Sequence, residues 1–189
     1  MATRQLSVLI ACAATAALAR QATAAPDAPA PPRWTLGLVG GALAPLSAMA
    51  DTHVRGLNVG LRVAWTSKLG LGLETAIDYS PLPHATVDGA TFDSIYGLAA
   101  VGPRFAAGWS IVRLGLAAVG GAAVDRTRRT DALGVTTSTD VAPAAQVGLE
   151  LELRFVQGGG VMLTGGGTQT FGKLDYRYAY AMGGLALSF

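Results

Sequence analysis

The chain of 189 residues carries 14 Lys and Arg against 12 Asp and Glu, is 51% hydrophobic and 14% charged, and contains 25 glycines. So little charge excludes a disordered chain and a nucleic-acid-binding protein, and the length suits one domain with or without a removable leader. Mean hydropathy is +0.40, yet no run of about 18 uncharged apolar residues exists to span a bilayer as a helix. The longest apolar tract, residues 97–124, is broken by Arg104 and Arg113. A hydrophobic chain without a membrane helix has one other way to cross lipid. That way is a closed β-barrel, in which every backbone N–H and C=O is paired within the protein.

In chain order, residues 1–24 are expected to form a secretory signal peptide. Arg4 is followed by an uncharged stretch, 5–19, and then by Ala22-Thr23-Ala24 as an Ala-x-Ala cleavage site. Cleavage after Ala24 keeps Pro26 from the first mature position. Leu9-Ile10-Ala11-Cys12 is similar to a lipoprotein signal, but the stretch between Arg4 and Cys12 is too short for one. Losing Arg4 and Arg20 leaves 12 basic residues against 12 acidic ones, a mature net charge of zero that calls for no anionic partner. Losing Cys12 leaves no disulfide, thiolate metal site or cysteine nucleophile. Residues 25–32, rich in Ala and Pro, read as an extended linker.

From residue 33 to 189 the dominant signal is a period of two. Apolar Leu57, Val59, Leu61, Val63 and Trp65 alternate with Asn58, Gly60, Arg62 and Ala64. The pattern resumes over 69–79 and 112–118, and is cleanest at Val147, Leu149, Leu151, Leu153 and Phe155. Such alternation predicts strands with one apolar and one polar face, of a length suited to tilted membrane strands. Weaker segments at 34–43, 92–105, 161–170 and 176–189 bring the expected number to eight, with ten as an outer bound. The phase is ambiguous around 97–101 and 179–184, where bulges are expected.

The predicted connections alternate in length: short turns at 66–68, 106–108 and 156–160, longer loops at 44–55, 80–91 and 124–140, and a fourth at 171–175. An up-and-down barrel of this kind places short turns in the periplasm and long loops outside. Trp34, Trp65, Trp109, Phe105, Phe155 and Phe189 fall near the short-turn ends. Tyr79, Phe92, Tyr96, Phe171, Tyr176, Tyr178 and Tyr180 fall near the long-loop ends, so two aromatic girdles are expected. Four bases within strands (Arg62, Arg104, Arg113, Arg154) match four acids (Glu74, Asp78, Glu150, Glu152). A lipid-facing Arg at mid-depth costs roughly 2–4 kcal/mol, so these charges belong inside, as a lumen network among small Gly and Ala residues. The fold class predicted is all-β, a membrane-spanning antiparallel barrel.

The last strand, Met182-Gly183-Gly184-Leu185-Ala186-Leu187-Ser188-Phe189, gives the pattern a more specific form. The chain resembles the small eight-stranded outer-membrane barrels of Gram-negative bacteria, of the OmpA-barrel, OmpX and opacity-protein kind. That resemblance covers 33–189. It implies outer-membrane localisation and an assembly signal, here Gly184, Leu185, Leu187 and Phe189, read by the barrel-assembly machinery. Met182 departs from the family where a polar residue is usual, and Leu187 is aliphatic where an aromatic is common.

Chemistry beyond that frame is sparse. The two histidines, His53 and His84, fall in predicted loops; Ser80 near His84 invites comparison with lipid A deacylases, but no motif of that family accompanies them. Asp51 and Asp88 do not give the histidines a diagnostic metal spacing. The glycine runs 158–160 and 165–167 lack the Lys-Ser/Thr sequel of a phosphate loop. Arg126, Arg128 and Arg129 in the longest predicted loop are candidate contacts to lipopolysaccharide phosphates. The Thr/Ser-rich stretch 136–139 suggests mobility. The expected function is a non-enzymatic, monomeric integral barrel with a structural or surface-interaction role, its lumen plugged by paired charges. Neither cofactor nor metal is expected, and the surrounding partners are outer-membrane lipid and lipopolysaccharide. The alternatives are a transport barrel for small or apolar solutes, a barrel-wall lipid hydrolase, and a secreted lipocalin-like barrel with the leucines inside.

Overall fold

The computed structural model describes residues 34–46, 55–108, 111–156, 158–172 and 175–189. The predicted leader and linker, Asp51, His53, Trp109 and Lys173 lie outside these residues. Eight strands run in order: β1 (Trp34–Leu46), β2 (Gly56–Thr66), β3 (Leu71–Val87), β4 (Ala90–Gly108), β5 (Val112–Asp131), β6 (Gly134–Val156), β7 (Gly159–Thr170) and β8 (Arg177–Ser188). Each pairs antiparallel with the next, and β8 returns to β1, so no edge is left within the closed part. Reciprocal bonds between Trp34 and Phe189, 2.9 and 3.1 Å, finish the seam at the short-turn end.

The alternation read from the sequence sets the two faces. Leu57 is 71% exposed, Leu149 64% and Leu185 69%, while the intervening residues are buried inside. These alternating leucines therefore point outward, opposite to a lipocalin. Both ambiguous segments keep their phase without a bulge: Tyr96, Leu98 and Ala100 face inward, as do Tyr178, Tyr180 and Met182. The register shifts lie instead at Leu82/Ala85 and at Arg154/Val156. Gly and Ala fit either face, so the pattern there carried no phase information.

Two expectations are corrected. Residues 80–91 and 124–140 are not loops but strand continuations, closed by two-residue turns. Val87 pairs with Ala90 across Asp88-Gly89, whose φ values of 49° and 76° are those of a type I′ turn. Asp131 pairs with Gly134, and its carboxylate accepts the Leu133 N–H at 2.9 Å. The Thr/Ser stretch 136–139 of β6, expected to be mobile, pairs with 126–129 of β5. As a result β3 to β6 project as a four-stranded sheet beyond the ends of β2 and β7.

The outer aromatic girdle is thinner than expected. Trp34, Trp65, Phe155 and Phe189 are exposed at the short-turn end, but at the other end only Tyr79 and Phe171 of the predicted set are. Tyr96, Tyr178 and Tyr180 have inward parity and are buried. Tyr96 and Tyr178, their rings 4.5 Å apart, join Leu43, Leu98 and Val119 in an apolar layer across the outer half of the lumen, and Tyr180 packs with Val39, Met162 and Met182 in a second cluster.

Candidate functional sites: the barrel lumen and the projecting sheet

All eight strand charges singled out from the sequence have inward parity, and they form two clusters. In the middle of the barrel Arg62 forks onto Asp78, with Nη1–Oδ1 at 2.7 Å and Nη2–Oδ2 at 3.1 Å. Arg104 donates to Glu150 Oε2 from Nε at 2.9 Å and Nη2 at 2.6 Å, and to the Thr66 hydroxyl at 3.1 Å. Its Nε is also 3.2 Å from Glu74 Oε2, so one guanidinium holds carboxylates from β3 and β6 together. Gln146 ties this group to β7, donating to Asp78 Oδ2 at 2.9 Å and to Thr168 at 3.2 Å. Nearer the short turns, Glu152 accepts from Arg154 Nε at 2.9 Å and from Ser188 at 2.8 Å. Arg113 is less engaged: its Nη1 is 3.9 Å from Glu152, and neither terminal nitrogen has a hydrogen-bond partner among the described residues.

The glycines on this face make room for the charges. A Cβ on Gly115 would sit 2.8 Å from Glu150 Oε2, and one on Gly60 would collide with the Asp78 carboxylate. Parity and the Gly/Ala content locate the eight charges from sequence. The neutral partners Thr66, Gln146 and Thr168 were missed because a hydroxyl or amide on a polar face carries no signal of its own. They share the inward parity, which is the one clue available.

On the projecting sheet the three arginines grouped by sequence separate. Arg126 and Arg128 are exposed on the outward face of β5, and Arg129 takes the opposite parity. Arg129 pairs with Asp131 at 2.9 Å and lies over the Phe92 ring at 5.9 Å. With Thr127, Thr136 and Ser138 they line an open depression of about 430 Å³ on the inner face of the sheet. Ser80 is buried and donates to Asn58 Oδ1 at 2.9 Å, a bond that ties β3 to β2. His84 stands in β3 and Asp88 in the following turn. Among the described residues no three His, Cys, Asp or Glu come together as a metal set.

At the C-terminus Leu185, Leu187 and Phe189 face outward and are exposed. Gly184 points the other way, at the β8–β1 seam, where a Cβ would overlap the Leu38 carbonyl. Its small size is therefore demanded by barrel closure as well as by any recognition signal.

No family model matches the chain, and no curated protein does. Solved structures do. The attachment invasion locus protein Ail of Yersinia pestis superposes with a TM-score of 0.57 at 12% identity, over 82% of this chain and 96% of that one. Neisserial surface protein A gives 0.58 at 11% identity, over 82% and 97%. Ail in complex with the heparin analogue sucrose octasulfate gives 0.55 at 14% identity, over 82% and 96%. At these identities the likeness is one of fold, and the fold is that of the small eight-stranded outer-membrane β-barrels.

Proposed function

We propose that the protein is a monomeric integral outer-membrane barrel whose role is non-enzymatic: it presents the projecting sheet as an interaction surface. The observation that carries this reading is a margin of β6 that no strand among the described residues pairs with. Pairing to β7 ends at Ala144↔Thr170, and the last bond across is from Phe171 N–H to the Pro143 carbonyl, 2.9 Å. Beyond it residues 134–142 hold Val135, Thr136, Thr137, Thr139 and Val141, with no Pro or Lys to blunt the edge. The opposite margin, on β3, carries Pro81 and Pro83. A β-branched edge charged only at Asp140 offers backbone hydrogen bonds to an extended segment of another molecule. Cells displaying the wild type should adhere to protein- or glycan-coated surfaces, and cells displaying a variant lacking residues 127–138 should not. Equal adhesion by the two, with both barrels folded, would overturn the reading.

The lumen favours closure over transport. Buried ion pairs fill its middle and an aromatic layer covers them, so planar bilayers containing the protein should show no long-lived steps of porin size. Steps of that kind would restore the transport reading.

Position supports two partners within this reading. Arg126 and Arg128 sit outward, just above Val124 and Val141 at the rim of the apolar wall, where lipopolysaccharide phosphates accept charge-assisted bonds. Arg129, turned inward, is left out of that set. The outward Leu185, Leu187 and Phe189 are offered to the barrel-assembly machinery. Deleting Phe189 should leave export intact but lower outer-membrane yield well below that of Phe189→Tyr. Equal yields of the two variants would remove the assembly role.

A further inference from the structure

The outer wall of the barrel has a hollow where β7, β8 and β1 meet. Gly165, Ala181 and Ala42 form one rung across these strands, and Gly183 pairs with Gly40 on the next rung toward the short turns. All five take the outward parity. On either side the same rungs carry large side chains, Leu149 on β6 and Leu57 and Val59 on β2. The result is an open groove of about 800 Å³, with Gly40, Gly165, Ala181 and Gly183 as its bed and Leu149, Leu151 and Leu163 along one bank.

Barrel closure does not require glycine at either end of the bed. A Cβ on Gly41 or Gly184 would collide with the backbone of the neighbouring strand, but one on Gly40 would meet nothing nearer than 3.8 Å. One on Gly167, a rung above Gly165, would stand 3.4 Å from its nearest neighbour, an ordinary contact. Packing within the barrel therefore leaves the small size of these two residues unexplained.

The charge above the groove identifies what lies in it. Arg177 opens β8 on the outward face, exposed and six residues above Gly183. Arg55, just before β2, is exposed and shares the odd parity that turns Leu57 and Val59 outward. The two arginines flank β1 at the long-hairpin end, two strand spacings or roughly 10 Å apart. Six residues of strand span about 20 Å, and a tilt of 35–45° turns that into roughly 14–16 Å of depth, half of a hydrocarbon core about 30 Å thick. An outer-leaflet lipid with its phosphate at Arg177 reaches Gly183 with the end of its chain.

We propose that the groove seats an acyl chain of lipid A, the bisphosphorylated glycolipid anchor of lipopolysaccharide, with Arg55 and Arg177 holding its phosphates. Guanidinium groups bind phosphate through paired charge-assisted hydrogen bonds, and two of them set apart match a headgroup with two phosphates rather than one. The chain gains dispersion contacts with backbone beneath it and leucine beside it, which a level wall of branched side chains does not give. The site rests on the outer-membrane reading above and lies on a different wall from Arg126 and Arg128.

Native mass spectrometry of the whole chain, folded in zwitterionic detergent and titrated with lipid A, tests the assignment. Arg126→Ala with Arg128→Ala serves as the background, so that the other phosphate contacts are absent. One lipid A per barrel should be retained, about tenfold more tightly than phosphatidylglycerol with its single phosphate. Gly40→Leu with Ala181→Leu fills the bed and should weaken lipid A binding by about tenfold or more; Arg55→Ala with Arg177→Ala should do the same. Lys68→Ala, in the short turn after β2, should leave binding unchanged. Heat-dependent gel mobility checks the folding of each variant. Undiminished binding in the filled variant, equal retention of phosphatidylglycerol, or a barrel dimer in place of the lipid complex would overturn the proposal. Where the filled variant does not fold, undiminished binding by the arginine pair overturns it equally. Cells displaying the filled variant should still adhere as the wild type does, so a failure of the groove is distinguishable from a failure of the adhesive sheet.

Discussion

Replacing Arg104 by Ala is expected to cost the folded barrel about 3–5 kcal/mol, the scale for stranding a buried charge by removing its partner. Arg104 is 2% exposed and touches Glu74, Glu150 and the Thr66 hydroxyl. Its loss would leave two carboxylates from β3 and β6 facing each other without the guanidinium that separates them. Urea titration of the folded fraction on a gel-mobility assay measures the cost. Arg128→Ala, on the exposed outer face of the projecting sheet, should stay within about 0.5 kcal/mol. Arg113→Ala should cost less than Arg104→Ala, because Glu152 keeps Arg154 and Ser188 when Arg113 is removed. If Arg113 proves the more damaging of the two, the network as described is wrong.

The reason this ranking was hidden in the sequence is specific. Parity put Arg62, Arg104, Arg113 and Arg154 on one face, and the structure has them there. Period two says which side a residue faces, but which base meets which acid depends on register between strands up to 46 residues apart in the chain. Register also decided the outer tyrosines. Tyr96, Tyr178 and Tyr180 are near the long-hairpin ends as expected, yet one residue of parity turns each from lipid to lumen. The projecting sheet was legible in principle: Asp88-Gly89 between β-branched residues is a hairpin signal, and residues 134–141 are rich in Val and Thr. Polar content argued for loops there, because outside the membrane a strand no longer needs an apolar face and loses the alternation that marks it.

Leu151→Arg is the second large effect expected, about 2–4 kcal/mol if Leu151 lies near the bilayer midplane. On β6 the outward series runs from Phe155 at the short-turn girdle through Leu153, Leu151, Leu149 and Val147 to Val141 at the outer rim. Leu151 is flanked in register by Leu114 on β5 and Leu163 on β7, so an arginine there meets hydrocarbon on both sides. Glu150 and Glu152 lie one residue away but on the other face, already bound to Arg104 and Arg154, and the barrel wall separates them from the new charge. Thr137→Arg is the matched control, on the same strand and the same face but in the projecting sheet, where water solvates it; its effect should be within about 0.5 kcal/mol. Urea midpoints in phospholipid vesicles compare the two. Similar midpoints would mean that Leu151 is not immersed in lipid. A gap of the expected size would fix the membrane level along β6 and leave residues 134–140 standing above it, free to meet a partner.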